Sequence, residues 1–264
     1  MNEELEEIEF LALSANRIAV LRALADRPHT RTDLARSTDA SQPTLGRVLG
    51  DFEDRRWVKR TEDGYVATAT GRMVAEGMGE LLAILETDRT LQPVMEWLPT
   101  TAMDFDFRCL RGATVTVPSR TRPSAPLRRE LDLVSESASV RICSHTFNER
   151  SLAAVRERVL NSPSEFEFAG VFSRTAIDAL AADSTLRSDL GELLDATNAA
   201  IRVHGGEVPV AVTVADDQVN MLLRDDAGVL RAALDTDDSA VRSWARGTYE
   251  RYWDEATPLD SDEL

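Results

Sequence analysis

Apolar positions recur with a helical rhythm through the N-terminal third of the chain and with a mixed rhythm beyond it. Residues 3–13 and 16–25 read as two helices broken around Ser14, the second carrying Ile18, Leu21, Leu24 and Ala25 on one face. Arg27-Pro28 ends that helix. A short amphipathic helix follows over 30–38, then a tight turn, then a second helix over 41–57 whose buried face is Leu45, Val48, Leu49 and Phe52. Ser41 is a fit N-cap, because its hydroxyl can accept from a free backbone N–H of the first turn. Pro43 is tolerated there, where an N–H has no intrahelical partner. Residues 58–71 form a polar hairpin, with Lys59 and Arg60 on the outgoing strand, Glu62-Asp63-Gly64 at the tip and Tyr65-Val66 returning. A continuous helical pattern then runs over 70–91, with Met73, Val74, Met78, Leu81, Leu82 and Leu85 on a broad face.

Helix, turn, helix, hairpin is the layout of a winged helix-turn-helix, which sets its second helix in the major groove of duplex DNA. On that reading Gln42, Thr44 and Arg47 face base edges, Ser41 closes the same helix end, and Arg31, Arg55, Lys59 and Arg60 meet phosphates or the minor groove. Charge first argues against this partner, since 46 carboxylates face 30 Lys and Arg side chains, a net charge of -16. Its distribution reverses the argument. Between Arg27 and Arg60 eight cations meet five carboxylates, a basic island in an acidic chain. Lys59 is the single lysine, and aspartates are spread throughout, which suits a protein of a haloarchaeal cytoplasm. No apolar run reaches membrane-spanning length, and the acidic start does not fit a signal peptide, so no membrane partner is expected. Cys109 and Cys143 lack metal-ligand spacing and are expected to be reduced thiols; neither a metal nor a cofactor is implied.

The segment 16–74, NRIAVLRALADRPHTRTDLARSTDASQPTLGRVLGDFEDRRWVKRTEDGYVATATGRMV, resembles the ArsR/MarR-like winged-helix regulators of archaea. The resemblance implies that the following long helix packs against its twin in a homodimer. Packing on the chain's own second half is the alternative. A dimer matches two half-sites one helical turn apart.

From 127 onward strands and helices alternate: helix 127–135, strand 139–143, helix 148–160, strand 165–172, helices 175–182 and 186–196, and strand 200–204. A hairpin 209–215/218–224 across Asp216-Asp217 follows, then a strand 228–234 and an aromatic-rich helix 240–254. Alternation implies an α/β layer with a partly parallel sheet. The order of elements and the closing segment 244–259, WARGTYERYWDEATPL, resemble archaeal regulators with a methanogenesis-regulator-type middle domain. These are related to TrmB-like sensors, whose sensor domains look like phospholipase D.

The expected class is therefore α+β and α/β. A winged helix-turn-helix over 1–72 leads through a linker or dimerisation helix over 73–98, broken by Pro93 and Pro99, to a phospholipase-D-like sensor domain over 99–256. An acidic tail over 257–264 closes the chain. Phospholipase D chemistry requires a lysine a few positions beyond its histidine; none follows His145, so an enzyme is not expected. Ser144, His145 and Arg174 lie past strand ends, where α/β sheets present ligands, and Arg120 and Arg122 offer charge for an anion. The leading expectation is a DNA-binding transcriptional regulator controlled by a small metabolite held near Arg120, Ser144, His145 and Arg174. The alternatives are an interaction module without a ligand and, more remotely, a phosphodiesterase-like enzyme.

Overall fold

The computed structural model describes residues 2–209, 211–261 and 264. Contacts divide the chain into one unit over 1–85 and another over 86–264. In the first, α1 (Asn2–Ala12) and α2 (Ala15–Asp26) precede the short α3 (Arg31–Ser37) and α4 (Gln42–Asp54). A hairpin of β1 (Val58–Thr61) and β2 (Gly64–Ala67) follows, and α5 (Ala69–Leu91) leaves it. The helix stripes close a core of Leu21, Leu24, Leu34, Leu45, Val48, Leu49 and Phe52, each at most 1% exposed.

Caps explain where these helices begin. Thr30 and Asp33 form a reciprocal capping box at α3, and the Ser41 hydroxyl accepts from the Thr44 amide at 3.4 Å. At the far end of α4, Arg56 takes a left-handed φ of 56° so that its own N–H and that of Trp57 reach Glu53 and Phe52 carbonyls. The hairpin register pairs Thr61 with Gly64, leaving Glu62 and Asp63 as its loop. Gly64 therefore opens the returning strand instead of belonging to the tip. Its φ of 118° and the His29 carbonyl 2.5 Å from where a Cβ would stand both demand glycine. His29 exchanges backbone hydrogen bonds with Tyr65, an isolated bridge that ties the segment before α3 to the hairpin.

The second unit is an eight-stranded mixed sheet. Its elements begin with three 3-10 turns (Met95–Trp97, Thr100–Ala102, Phe107–Leu110), β3 (Thr114–Thr116), α6 (Ala125–Glu136), β4 (Ser139–Ser144) and α7 (Glu149–Asn161). Then come β5 (Glu167–Ser173), α8 (Arg174–Ala181), α9 (Ser184–Leu194), β6 (Ala199–His204), β7 (Val212–Ala215) and β8 (Gln218–Arg224). The chain ends through β9 (Leu230–Thr236), α10 (Ser239–Glu255) and β10 (Thr257–Pro258). Strand order is β10-β6-β5-β4-β7-β8-β9-β3, parallel across β4–β5–β6 and antiparallel elsewhere. Helices α6 to α9 cover one face, while α10 and the 3-10 turns cover the other.

Two expectations are corrected. The boundary zone after α5 is not a free linker, because Leu91, Val94, Leu98, Met103 and Leu110 are buried against Val212, Met221 and Leu234. The tail is held at its start: Thr257 and Pro258 pair with β6, and the Leu259 amide donates to the Ile201 carbonyl. Its residues 262 and 263, like 210 in the expected strand 209–215, lie outside the described residues. Within the acidic run before α10, Asp238 caps the helix, whereas Asp235 is buried against Asn220 and Arg129.

Candidate nucleic-acid interface and strand-end pocket

Helix α4 presents Ser41, Gln42 and Arg47 as exposed residues and Thr44 as half-buried, around its N-terminal turn. The Gln42 side-chain amide donates to the Arg31 carbonyl at 3.4 Å, tying the start of α3 to the start of α4. The Arg31 guanidinium lies beside Gly46 and 5.8 Å from the Tyr65 ring, and Arg60 approaches the same ring at 5.9 Å. Tyr65 thus links the α3–α4 corner to the wing. Arg31, Arg47, Lys59 and Arg60 are exposed, and among the described residues none of them forms an ion pair. The result is a strip of uncompensated positive charge running from α3 across α4 to β1.

Arg55 is a correction. Its Nε donates to Glu7 at 2.6 Å, its Nη1 to the Asp51 carbonyl, and its guanidinium lies 3.7 Å from the Phe10 ring. Arg17 stacks on the same ring at 4.0 Å, so Phe10 links both cations to α1. Arg55 is engaged in holding α1 and leaves the interface. Ser41 is occupied as a cap.

In the second unit, β8 runs parallel to β4, since each is antiparallel to β7. Residues after β4, β5 and β8 therefore share one edge of the sheet. Ser144 and His145 follow β4, Arg174 opens α8 after β5, and the Ser173 hydroxyl donates to the His145 carbonyl at 3.1 Å. Ser144 is buried, its hydroxyl accepting from the Thr146 amide at 3.1 Å. Arg120 does not join them: it follows β3, which runs parallel to β8 but is the edge strand of the sheet, four strands from β4. Arg122 lines a separate open cleft of 650 Å³ with Arg128 and Arg129.

The cation at the β4 edge is Arg224, which the sequence reading passed over. It donates to the Thr146 hydroxyl at 3.3 Å and to the Gly228 carbonyl at 3.0 Å. His145 and Arg224 line a cavity of 170 Å³. Burial first, then the Arg224 charge, hold the His145 imidazole below its usual titration range, so it is neutral at pH 7. Deeper in the same unit Glu130 accepts from Ser151 and Thr213 hydroxyls, and burial pushes its carboxyl above the usual range. Both cysteines are free thiols, and burial pushes that of Cys143 up to about 12. Among the described residues no group of His, Cys, Asp or Glu forms a metal site, and no helix is long and apolar enough to cross a membrane.

The HVO_A0261 N-terminal domain family matches residues 5–90, and the middle domain of the methanogenesis regulatory protein FilR1 matches residues 123–255. The second match spans half of the chain. The chain belongs to the FilR1 middle-domain family. This is the family resemblance carried by the order of elements after 127 and by the closing segment 244–259. Among solved structures, TrmBL2, an archaeal chromatin protein whose structure shows a novel mode of DNA binding, is similar over 96% of this chain and 98% of its own, at 12% identity and a TM-score of 0.42. NucT from Helicobacter pylori is similar over 56% of this chain and 98% of its own, at 15% identity and a TM-score of 0.45. Nuc, a phospholipase D family member from Salmonella typhimurium, covers the same shares at 11% identity and a TM-score of 0.42. Among curated proteins none matches. In this family member, the histidine after β4 is followed by no lysine; the single lysine, Lys59, lies in β1.

Proposed function

We propose that the chain is a sequence-specific transcriptional regulator that binds duplex DNA as a homodimer and answers to a small molecule held in its second unit. The observation that carries the DNA reading is the strip Arg31, Arg47, Lys59 and Arg60, unpaired among the described residues in a molecule of net charge -16. Stability gives no reason to keep exposed cations apart from so many available carboxylates; recognition of a polyanion does. Helix α4 enters the major groove, where Arg47 bonds a guanine edge and Gln42 and Thr44 contact neighbouring bases. Lys59, Arg60 and Arg31 take phosphates flanking that groove. Membership of a family named for a regulatory protein supports the reading, as does the apolar face of α5, where Leu81, Leu82, Ile84 and Leu85 are exposed. In the haloarchaeal cytoplasm that the composition suits, counterion release contributes less than usual, so base contacts and DNA shape carry more of the affinity.

The test is a selection of binding sites from random duplexes at high salt, followed by titration of the enriched site. Arg47→Ala is expected to weaken the enriched site by about 1–3 kcal/mol and to relax preference at one base position while thermal unfolding is unchanged. Failure of the wild-type protein to enrich any sequence removes the DNA reading.

A further inference from the structure

The cavity at the β4 and β8 strand ends has a composition that specifies what it takes. Its volume, 170 Å³, is close to that of a cavity of ~150 Å³ that accepts benzene. Trp97, Pro209, Met221 and Leu223 supply apolar wall, and His145, Arg224 and Asp225 supply the polar groups. An occupant is therefore compact, with an apolar body and a polar end.

The charge of that end follows from Arg224. The guanidinium is half-buried, and among the described residues it has no ion pair. Its neighbour Asp225 is committed elsewhere, accepting from Arg231 at 2.7 Å and from the Ala227 and Val229 amides. Glu130, the other carboxyl that senses Arg224, lies beyond ion-pair distance and is engaged by the Ser151 and Thr213 hydroxyls. Arg224 Nε and His145 Nδ1 are both buried without a hydrogen-bond partner among the described residues. A partly buried cation with no counterion and an unsatisfied nitrogen is costly unless something else satisfies it.

We infer that this cavity binds a small organic monocarboxylate with a compact aromatic or branched body. The carboxylate lies on Arg224, and the body packs on Trp97 and Met221. The inference rests on the reading of the second unit as a ligand-responsive module and assigns that module its site and ligand class. A planar guanidinium suits a carboxylate, and the apolar side chains beside it suit an organic body.

The experiment uses the full chain in strong salt with benzoate and 3-methylbutanoate as probes. Benzamide and 3-methylbutanamide are the neutral counterparts, and sulfate the inorganic one. Binding is read from the Trp97 contribution to fluorescence, isolated by comparison with Trp97→Phe, and from the shift in melting temperature. At least one carboxylate is expected to bind saturably, with its amide weaker by about tenfold or more, the loss that follows removal of a charge-assisted hydrogen bond. Arg224→Gln is expected to abolish the discrimination between acid and amide. If that variant does not fold, the acid-against-amide comparison on the wild-type chain decides alone. Equal responses to acid and amide, a response to sulfate equal to that of the carboxylates, or no response to any probe would overturn the inference. Carboxylate binding that leaves DNA affinity unchanged supports the site while removing its role in regulation. Loss of DNA binding in the absence of any probe removes the regulator reading and leaves the site standing.

Discussion

Glu130 is a carboxyl sealed beneath α6, its oxygens satisfied by hydroxyls of Ser151 and Thr213 and by no cation within ion-pair distance among the described residues. Burial raises its folded-state pKa above the unfolded value of 4.5. The folded chain then holds a proton that the unfolded chain releases, so the contribution is complete below 4.5 and is lost as pH rises through the folded value. His145 acts in the opposite sense, its lowered pKa making the fold lose stability as pH falls below about 6.5. Glu130→Gln isolates the first effect. Its denaturation midpoint is expected to exceed that of the wild type at pH 8 and to vary less between about pH 5 and 8; a variant less stable than wild type at every pH would show that Glu130 is ionised and paired. At this scale the sequence was legible where local rules act alone. Ser41 caps α4, and Leu45, Val48, Leu49 and Phe52 are buried as their spacing predicts. Arg55 and Arg224 were illegible because an arginine reads the same in sequence whether it faces water, a ring or a cavity. Only Glu7 and Phe10 from α1, and Thr146 from the far side of a hairpin, reveal where each is engaged.

Helix α5 was legible in extent and in its apolar residues, since 23 residues without an internal proline keep one rhythm. Which of those residues are covered was not. Met78 is buried in the first unit's core, whereas Leu81, Leu82, Ile84 and Leu85 are 39–52% exposed. A run of four large apolar side chains left in water favours a second helix across it. If α5 pairs with its twin, Leu82→Glu combined with Leu85→Glu is expected to convert a dimer to a monomer in sedimentation equilibrium, with far-ultraviolet circular dichroism unchanged. A wild-type chain that sediments as a monomer would sink the pairing. The wing was legible because Asp63-Gly64 sits between two strand-like runs, although the register moves Gly64 into the strand. The 3-10 turns between Met95 and Leu110 and the two-residue β10 were missed. Such short elements hold no periodicity of their own; they exist because Leu98, Leu110 and Leu259 find a core built by other elements.

Across the whole molecule, 46 carboxylates against 30 cations repel one another, and screening by salt relieves that repulsion. The melting temperature is expected to rise as KCl increases from about 0.1 M to molar concentrations, where the Debye length falls from ~10 Å to ~3 Å. A flat or falling curve in a salt titration would remove self-repulsion as a stability term. The charge on which the proposed DNA contact rests is local, and the sequence already showed it as the island between Arg27 and Arg60. By itself the sequence determined the helix-turn-helix and its wing, the buried helix faces, the caps and the alternation of strands and helices, because each depends on residues a few positions apart. The tertiary structure alone decided the strand order, the inclusion of residues 91–110 in the second core, the engagement of Arg55 by α1 and the meeting of His145 with Arg224. Those outcomes depend on partners tens of residues apart, brought together by sheet pairing and core closure, and no local pattern encodes which distant partner each side chain will meet.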